Sequence, residues 1–212
     1  MRKLLITLVI LAGVLVAADY GLRLYSQSVV ADELQTSLKL SEKPSVSFGG
    51  WPFITHVISG DLPSAKVTVS EATEAAVRVE RVSITLHDLT FSAKRLVTRG
   101  GGEIRAKSGH GTAIMTSADV NDALANAGVP YRITIANGRA TVSSGGLHVG
   151  VEVKLEGQFV TLTPASTTAE SARLALPTLI KGFHYSGLQL KGSQAALTIS
   201  IQNAVFLLLP SR

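Results

Sequence analysis

The segment from Leu147 to Leu155 alternates apolar residues with polar residues or glycine, and this alternation constrains the fold more than any other feature. A period of two places one set of side chains on each face of a β-strand. Asn137-Gly138 upstream favours a tight hairpin turn, and Gly157 turns the chain into a further strand over 158–163. The pattern predicts an antiparallel meander with one dry face and one wet face.

Strand patterns also dominate the middle of the chain, at 66–70, 76–87 and 103–116. The apolar phase shifts across Glu80-Arg81, which predicts a β-bulge that bends the strand. A second helix is expected to begin at Ser117 as its N-cap, with Gly and Pro residues closing it about ten residues later. The predicted class is α+β: a long, curved antiparallel sheet wrapped on one or two helices.

The N-terminus has the pattern of an export segment. Arg2-Lys3 precede fifteen apolar residues, Leu4 to Ala18, and Asp19 follows. Two outcomes remain open: a signal sequence removed after Val16-Ala17-Ala18, or an uncleaved membrane anchor whose helix continues to about residue 40. Residues 1–18 are therefore predicted to be the signal or anchor, and residues 19–212 a single extracytoplasmic domain.

The charge pattern argues against a nucleic-acid partner. The formal net charge of +5 falls to +3 without Arg2 and Lys3, and basic residues are otherwise interleaved with acids. The densest basic stretch, which includes Arg95, Arg99 and Arg105, has no interleaved stacking aromatics. It is predicted to be either a solvated loop or a contact for anionic lipid headgroups at a membrane surface.

No arrangement of residues predicts a catalytic or metal site. Cysteine is absent, and the five histidines lie far apart in sequence without a metal-binding spacing. The motifs of serine hydrolases, phosphate-binding loops and calcium loops are missing as well. The chain is therefore predicted to be no enzyme, with no catalytic residues, no metal and no cofactor.

A segment with bulky apolar residues, Gly49 to His56, precedes the predicted strands, and we call it the knuckle. Two glycines lead into Trp51, Pro52, Phe53 and Ile54, and this composition predicts an irregular segment. Large rings on such a segment either plug one end of a core or form an apolar lip for a lipid. The sequence leaves both interpretations open.

This chain resembles the LmeA-like family of actinobacterial cell-envelope phospholipid-binding proteins, named for a factor in lipomannan elongation. The features that carry the resemblance are the export helix, the knuckle, the segment Thr116 to Leu124 and Leu176-Pro177. The family shows Gly-Phe-Pro-Phe-Leu-Thr-Gln at the knuckle. Here Trp51 and Ile54 keep the apolar character of their positions. His56 replaces the glutamine, so a polar role of that position does not carry over.

The resemblance implies a fold similar to tubular lipid-binding (TULIP-like) proteins, in which a sheet and a long helix surround an acyl-chain cavity. It also implies binding of glycerophospholipids, with phosphoinositides as a narrower option, on the outer side of the membrane, in support of lipid transport or lipomannan synthesis. Trp51, Pro52, Phe53 and Ile54 are the candidate rim, and Arg95, Arg99 and Arg105 the candidate headgroup contacts.

Inward-facing rows of the predicted strands, with the first helix as one wall, are the candidates to line such a cavity: Leu34, Leu38, Val149, Val151, Val153, Leu197 and Ile199. The same rows are equally suited to a filled core. The alternative function is an extracytoplasmic structural or interaction module with a closed core that recruits an envelope partner, whose identity the sequence leaves unknown.

Overall fold

The computed structural model describes residues 2–74, 77–95, 102–126, 128, 132–144, 147–165, 171–176 and 181–208. The helices within them include α1 (Arg2–Ser37), α2 (Phe53–Ser59) and α3 (Ser117–Asn126). The strands are β1 (Ser45–Phe48), β2 (Asp61–Glu74), β3 (Val77–Phe91), β4 (Gly102–Thr116), β5 (Arg132–Ala136), β6 (Arg139–Ser144), β7 (Leu147–Glu156), β8 (Phe159–Pro164), β9 (Ala172–Ala175), β10 (Phe183–Lys191) and β11 (Gln194–Leu208).

The strands form two curved antiparallel sheets rather than the single sheet that was expected. The larger sheet has the order β1-β2-β3-β4-β11-β10, and the smaller has the order β5-β6-β7-β8-β9. Every strand pair in both sheets is antiparallel. The predicted α+β class is confirmed, because these sheets dominate the fold and a few helices accompany them.

The predicted meander is present as the smaller sheet. Asn137 and Gly138 connect β5 to β6 with φ of 51° and 72°, the left-handed backbone that a two-residue hairpin turn requires. Along β7, Val151 and Val153 pack against the interior, whereas Glu152 and Lys154 are exposed. Alternation therefore identified both the strands and the buried face.

Helix α1 extends to Ser37, close to the predicted end near residue 40. It lies against β1 and α2, with Ala31 buried and Leu22 packed beside the core. Lys43 returns to the helix and pairs with Asp32 at 2.7 Å. In the described part of the chain, no helix is both long enough and apolar enough to cross a membrane.

Strand β3 changes the face that points inward, as its apolar phase predicted, but without the expected bulge. Val79 and Val82 both reach the interior although they are three positions apart, an offset that places side chains on opposite faces of a regular strand. The pairs on either side, Ser70 with Arg81 and Ala72 with Val79, keep one register. The reversal coincides with Glu71, which lies between those pairs on β2 and adopts a left-handed φ of 51°.

Similar reversals occur farther along the larger sheet. Asp88 has φ of 51°, and the interior side chains of β3 change from Leu86 to Leu89 around it. Asn203 has φ of 49°, between buried Ile201 and buried Ala204 on β11. These positions let one long sheet present apolar side chains to the same interior along its whole length.

Three apolar clusters lie along that interior. The first, between the smaller sheet and α3, contains Leu124, Ile133, Ile135, Ala140, Val142, Val160, Leu162 and Ala195. The middle cluster contains Ile199, Ile201 and Ala204. The third, at the knuckle end, contains Phe53, Leu62, Ala65, Leu89 and Ala106.

Candidate functional site

A cavity of about 400 Å³ lies between the two sheets, with α3 closing one side. That volume falls within the range typical of small-molecule sites, roughly 300–1,000 Å³. Among the described residues its lining carries no charged side chain, and Tyr185 contributes the one hydroxyl group. The lining residues are Val79, Val82, Ile84, Ala113, Met115, Val120, Ala123, Leu124, Ile133, Ile135, Ala140, Val153, Val160, Leu162, Leu174, Ala175, Leu176, Phe183, Tyr185, Leu188, Leu190, Ala195, Leu197 and Ile199.

The composition of the lining explains why the space is not filled. Five of its positions are alanines, on both sheets and on α3: Ala113, Ala123, Ala140, Ala175 and Ala195. Methyl side chains cannot reach across the gap between two sheets and a helix, so the remaining branched side chains leave a void. Tyr185 lies at the border with the middle cluster, and burial raises the pKa of its hydroxyl group. An apolar molecule is therefore the chemically matched occupant.

Helix α3 forms a wall of the cavity through the stripe Val120, Ala123 and Leu124. Its start is fixed by a reciprocal cap between Thr116 and Asp119. The Asp119 carboxylate accepts hydrogen bonds from the Thr116 amide (2.8 Å) and hydroxyl (2.7 Å), and the Thr116 hydroxyl accepts one from the Asp119 amide (3.2 Å). Thr116, not Ser117, is therefore the cap. Its hydroxyl group and the carboxylate three residues later form the reciprocal hydrogen bonds of a capping box.

Ser117 instead helps to attach α3 to the edge of the smaller sheet. Its hydroxyl oxygen accepts a hydrogen bond from the Ile135 amide at 2.9 Å. One turn later, Asn121 accepts from the Ile133 amide (2.6 Å) and donates to the Ile133 carbonyl oxygen (2.9 Å). The helix side chains thus satisfy edge-strand groups that another strand would otherwise satisfy. The segment Thr116 to Leu124 caps the helix, joins the sheets and lines the cavity.

The structure places only part of the sequence-predicted lining at the cavity. Val153, Leu197 and Ile199 line it. Val151 packs against the first apolar cluster without lining the cavity. Val149 is half-buried and does not line the cavity. Contact of any of these residues with a lipid remains a prediction.

The expectation that the first helix forms a wall is wrong. Leu34 is half-buried and Leu38 is 59% exposed; α1 lies against β1 and α2, away from the cavity. The wall is α3, the second helix that the sequence predicted, although the sequence did not reveal which space it faces. The apolar periodicity of α1 could not predict its position, because periodicity does not specify the surface that a helix packs against.

The knuckle lies at the opposite end of the larger sheet and contributes nothing to the cavity lining among the described residues. Phe53 to His56 were predicted to be irregular, but they form the start of α2. Pro52 occupies the N-cap, where a missing N–H is tolerated, so the proline begins a helix instead of excluding one. Phe53 is only 2% exposed and stacks on Phe48 at 5.7 Å between ring centroids.

Two charged residues of α1 hold the knuckle in place. Asp19 accepts a hydrogen bond from the Ile54 amide at 2.7 Å, and Arg23 donates to the Gly50 carbonyl oxygen. Hydrogen bonds from the backbone amides of Ile54 and Phe53 hold the pKa of Asp19 below its ordinary value. The four-residue spacing of Asp19 and Arg23 therefore serves to dock α1 on the knuckle.

The outer face of the knuckle is apolar. Trp51 is 70% exposed and Ile58 is 76% exposed, with partly exposed Ile54 between them in sequence. Ile54 and Ile58 are four residues apart on one side of α2, and Trp51 lies just before the helix. These three residues form what we call the apolar stripe. Phe53 thus agrees with the plug interpretation, whereas Trp51 and Ile54 face solvent.

The candidate headgroup residues are not at the cavity either. Arg105 is exposed, pairs with Glu103 at 2.7 Å, and lies on the face of β4 opposite to buried Ala106. Arg95 is exposed shortly after β3, and Arg99 lies outside the described residues. The end of β3 bonds to α2, since Phe91 donates to the Gly60 carbonyl oxygen at 2.8 Å. Arg95 and Arg105 therefore share the knuckle end.

The fold brings together two histidines that are distant in sequence. The rings of His87 and His110 lie 5.8 Å apart between centroids on neighbouring strands β3 and β4. Within the part of the chain that the structure describes, no group of three or more potential ligand residues could hold a metal ion.

Comparison with known proteins supplies the remaining evidence. Neither the curated proteins nor the solved structures include a significant match to this chain. A family model described as LmeA-like phospholipid-binding matches residues 17–202, which is most of the chain. The match includes the knuckle and the segment that caps and positions α3. The chain therefore belongs to the LmeA-like phospholipid-binding family.

Proposed function

We propose that this protein is a non-enzymatic phospholipid-binding protein of the cell envelope that holds an acyl chain in the cavity between its two sheets. The observation that carries the proposal is the uncharged, apolar lining of a cavity of about 400 Å³. Family membership supports the lipid class. The filled interior expected of a structural module is absent from the cavity end of the described chain, which weighs against that alternative.

The energetics of lipid handling favour such an enclosure. Each methylene group transferred from an apolar environment to water costs about 0.8 kcal/mol, so an unshielded acyl chain is strongly disfavoured. A carrier must surround the chain, as tubular lipid-binding proteins do, and two sheets closed by a helix provide that geometry. Lipid transport and support of lipomannan synthesis are both consistent with this activity. A phosphoinositide is one candidate among the phospholipids.

The knuckle end is proposed to dock on an anionic membrane surface on the outer side of the cytoplasmic membrane. The apolar stripe is suited to shallow insertion, because the transfer of Trp and Ile side chains out of water is favourable. Arg95 and Arg105 flank the same end and complement anionic headgroups. The apolar start of α1, whether it acts as a signal or as an anchor, brings the chain to that side of the membrane.

Lipid capture by the full-length protein tests the central proposal. The protein is incubated with phosphatidylglycerol or phosphatidylinositol vesicles, separated from them, and examined by native mass spectrometry. We expect one bound lipid in the wild type and little in Ala140→Phe, which places a ring in the cavity.

The matched control is Ala136→Phe, an exposed position on the same hairpin, which should retain lipid. Circular dichroism establishes that each variant is folded. A folded wild-type protein that captures no phospholipid overturns the proposed function.

Vesicle flotation tests membrane docking separately. Replacing Trp51 and Ile58 together by serine should reduce binding to phosphatidylglycerol vesicles about tenfold, because two exposed apolar anchors are lost. Leu38→Ser removes an exposed apolar side chain just after α1, nineteen residues beyond Asp19, and should have little effect. Equal losses in both variants would reject the apolar stripe as the docking site.

A further inference from the structure

Exposed apolar side chains outside the first helix are concentrated at one end of the larger sheet. The apolar stripe supplies three of them. Val205 and Leu207, near the end of β11, are 46% and 72% exposed and belong to the same end of the molecule. Among the described residues after Leu38, Phe159 on the smaller sheet is the one other exposed large apolar side chain. Such a concentration on one side indicates a surface that contacts something apolar.

Val205 and Leu207 lie on the outer face of the larger sheet, at a free edge. Phe206 between them packs into the interior with the knuckle cluster, so the alternation of a strand turns its two neighbours outward. Strand β10 pairs with β11 only as far as Ile201, and within the described chain no strand covers that side of β11 beyond it. We call Val205 and Leu207 the apolar corner. An exposed apolar edge of this kind is a place where folded proteins normally have a partner.

The apolar corner and the apolar stripe occupy two corners of the same sheet end. Strands β2 and β4 begin there, and β3 and β11 end there. Cross-strand pairs connect Asp61 to Thr90 and Thr90 to Arg105. Arg105 in turn pairs with Val205. Asp61 follows Ile58 of the stripe by three residues. Three strand spacings place β2 about 14 Å from β11, so both apolar groups are able to meet one surface.

Basic side chains accompany the apolar corner. Arg105 is exposed beside Val205, and its contact with Glu103 uses one of its five N–H donors. Arg95 is exposed shortly after β3, the strand next to β4. Guanidinium groups beside an apolar contact match a bilayer that contains anionic phospholipids, because such a surface offers phosphate oxygens above a hydrocarbon interior.

A bilayer suits the apolar corner better than a second copy of the chain. A stable protein interface buries about 800 Å² on each partner and has an apolar centre excluded from water. Two side chains at the end of one strand are far short of that area. A bilayer instead accepts apolar side chains singly, and each adds to binding in proportion to the area that it buries.

We propose, building on the membrane docking proposed above, that the apolar corner is a second membrane contact of this protein. The whole knuckle end of the larger sheet then meets an anionic bilayer, with the apolar stripe at one corner and Val205 and Leu207 at the other. Two separated contacts fix the orientation of the bound protein. The long strands lead away from the membrane, and the cavity lies at their far end.

A fluorescent label at the apolar corner tests this contact directly. The chain contains no cysteine, so Leu207→Cys in the full-length protein accepts a single nitrobenzoxadiazole label. We expect its emission to move to shorter wavelength and to rise severalfold on addition of vesicles of phosphatidylglycerol and phosphatidylcholine, because the label leaves water. The matched control is Ser193→Cys, an exposed position in the turn at the other end of the same strand, whose label should not respond.

Vesicle flotation measures the contribution of the apolar corner to binding. Replacing Val205 and Leu207 together by serine should weaken binding to phosphatidylglycerol vesicles about fivefold, because two exposed apolar side chains no longer enter the bilayer. Phe159→Ser removes an exposed ring from the smaller sheet and should leave binding unchanged. Trp51 is the single tryptophan, and its emission at saturating vesicle concentration should shift equally in both variants, since the stripe still inserts.

The outcomes separate this inference from the proposals on which it builds. A label at residue 207 that stays in water while Trp51 emission shifts overturns the second contact and leaves docking through the stripe intact. If neither probe responds, both membrane contacts are rejected, whereas capture of lipid in the cavity is decided by its own mass-spectrometric test. A label that responds to protein concentration without vesicles, together with a dimer in sedimentation, assigns the corner to a second copy and overturns the inference. Should Leu207→Cys fail to fold, Val205→Cys takes its place.

Discussion

The two ends of the larger sheet differ in the side chains that fill the space beneath them. At the knuckle end, Phe48, Phe53, Phe91 and Phe206 pack around the core, and the interior is solid. At the cavity end, the described lining is mostly alanine and branched aliphatic residues, and its two aromatic residues, Phe183 and Tyr185, lie at the border with the middle cluster. Rings fill volume that short side chains cannot reach. The comparison indicates that the placement of a few aromatic residues determines which end of one sheet is hollow.

The largest expected effect is at the solid end. Phe53→Ala should lower the free energy of unfolding by about 3–5 kcal/mol, because it removes a stacked ring from a filled core. Urea denaturation followed by circular dichroism provides the measurement. Trp51→Ala, two residues away but exposed, should change stability by less than about 0.5 kcal/mol. Similar losses in both variants would mean that Trp51 also plugs the core.

At the hollow end, the attachment of α3 should matter more than side-chain volume. Asn121→Ala leaves the amide and carbonyl groups of Ile133 without their side-chain partners and should cost about 2 kcal/mol. The neighbouring exposed residue offers a control, since Asp122→Ala should cost less than about 0.5 kcal/mol. An Asn121 variant as stable as this control would show that packing alone holds the helix on the sheet.

The same leucine-to-alanine substitution at each end compares the stability cost in the hollow interior with that in the filled interior. Leu188→Ala, beside the cavity, should cost only about 1 kcal/mol, because its side chain already lacks neighbours on one side. Leu62→Ala, at the knuckle end, should cost about 2–5 kcal/mol. Both are measured by urea denaturation of lipid-free protein. Equal costs would contradict the distinction between the ends.

The smallest effect concerns the docking of α1. The folded-state pKa of Asp19 lies below the ordinary value of 3.8, so its ionised form stabilises the fold above that value. This contribution is lost as pH falls through the folded-state pKa. The difference in melting temperature between wild type and Asp19→Asn should therefore be constant near neutral pH and shrink below about pH 4. A difference in melting temperature that does not vary with pH would show that the ionisation of Asp19 does not contribute to the docking of α1.

Local patterns predicted most elements because strands, turns and caps depend on neighbouring residues. The Asn137-Gly138 turn and the alternation through Val151 and Val153 fixed the meander and its buried face. Phe53 shows the limit of this reasoning. Its neighbours suggested an irregular segment, but a proline at the N-cap and a carboxylate supplied from α1 allow a short helix there. The carboxylate is distant in sequence and was not predictable from the local pattern.

The candidate site was only partly predictable for the same reason. Val153, Leu197 and Ile199 were identified because period-two alternation reveals an inward face. Leu34 and Leu38 were misplaced because periodicity shows that a helix has an apolar side without showing what covers it. The phase shift across Glu80-Arg81 was predicted from the sequence, but the left-handed Glu71 on the neighbouring strand, which accompanies the change of face, was not anticipated.

The amino-acid sequence by itself determined the α+β class, the antiparallel meander, the apolar rows and the family, because these follow from local periodicity and short motifs. Tertiary structure decided that the rows belong to two sheets, that α3 and not α1 closes the space between them, and that the knuckle lies at the other end. A void exists only where opposing side chains fail to meet, and their separation depends on the packing of elements distant in the chain.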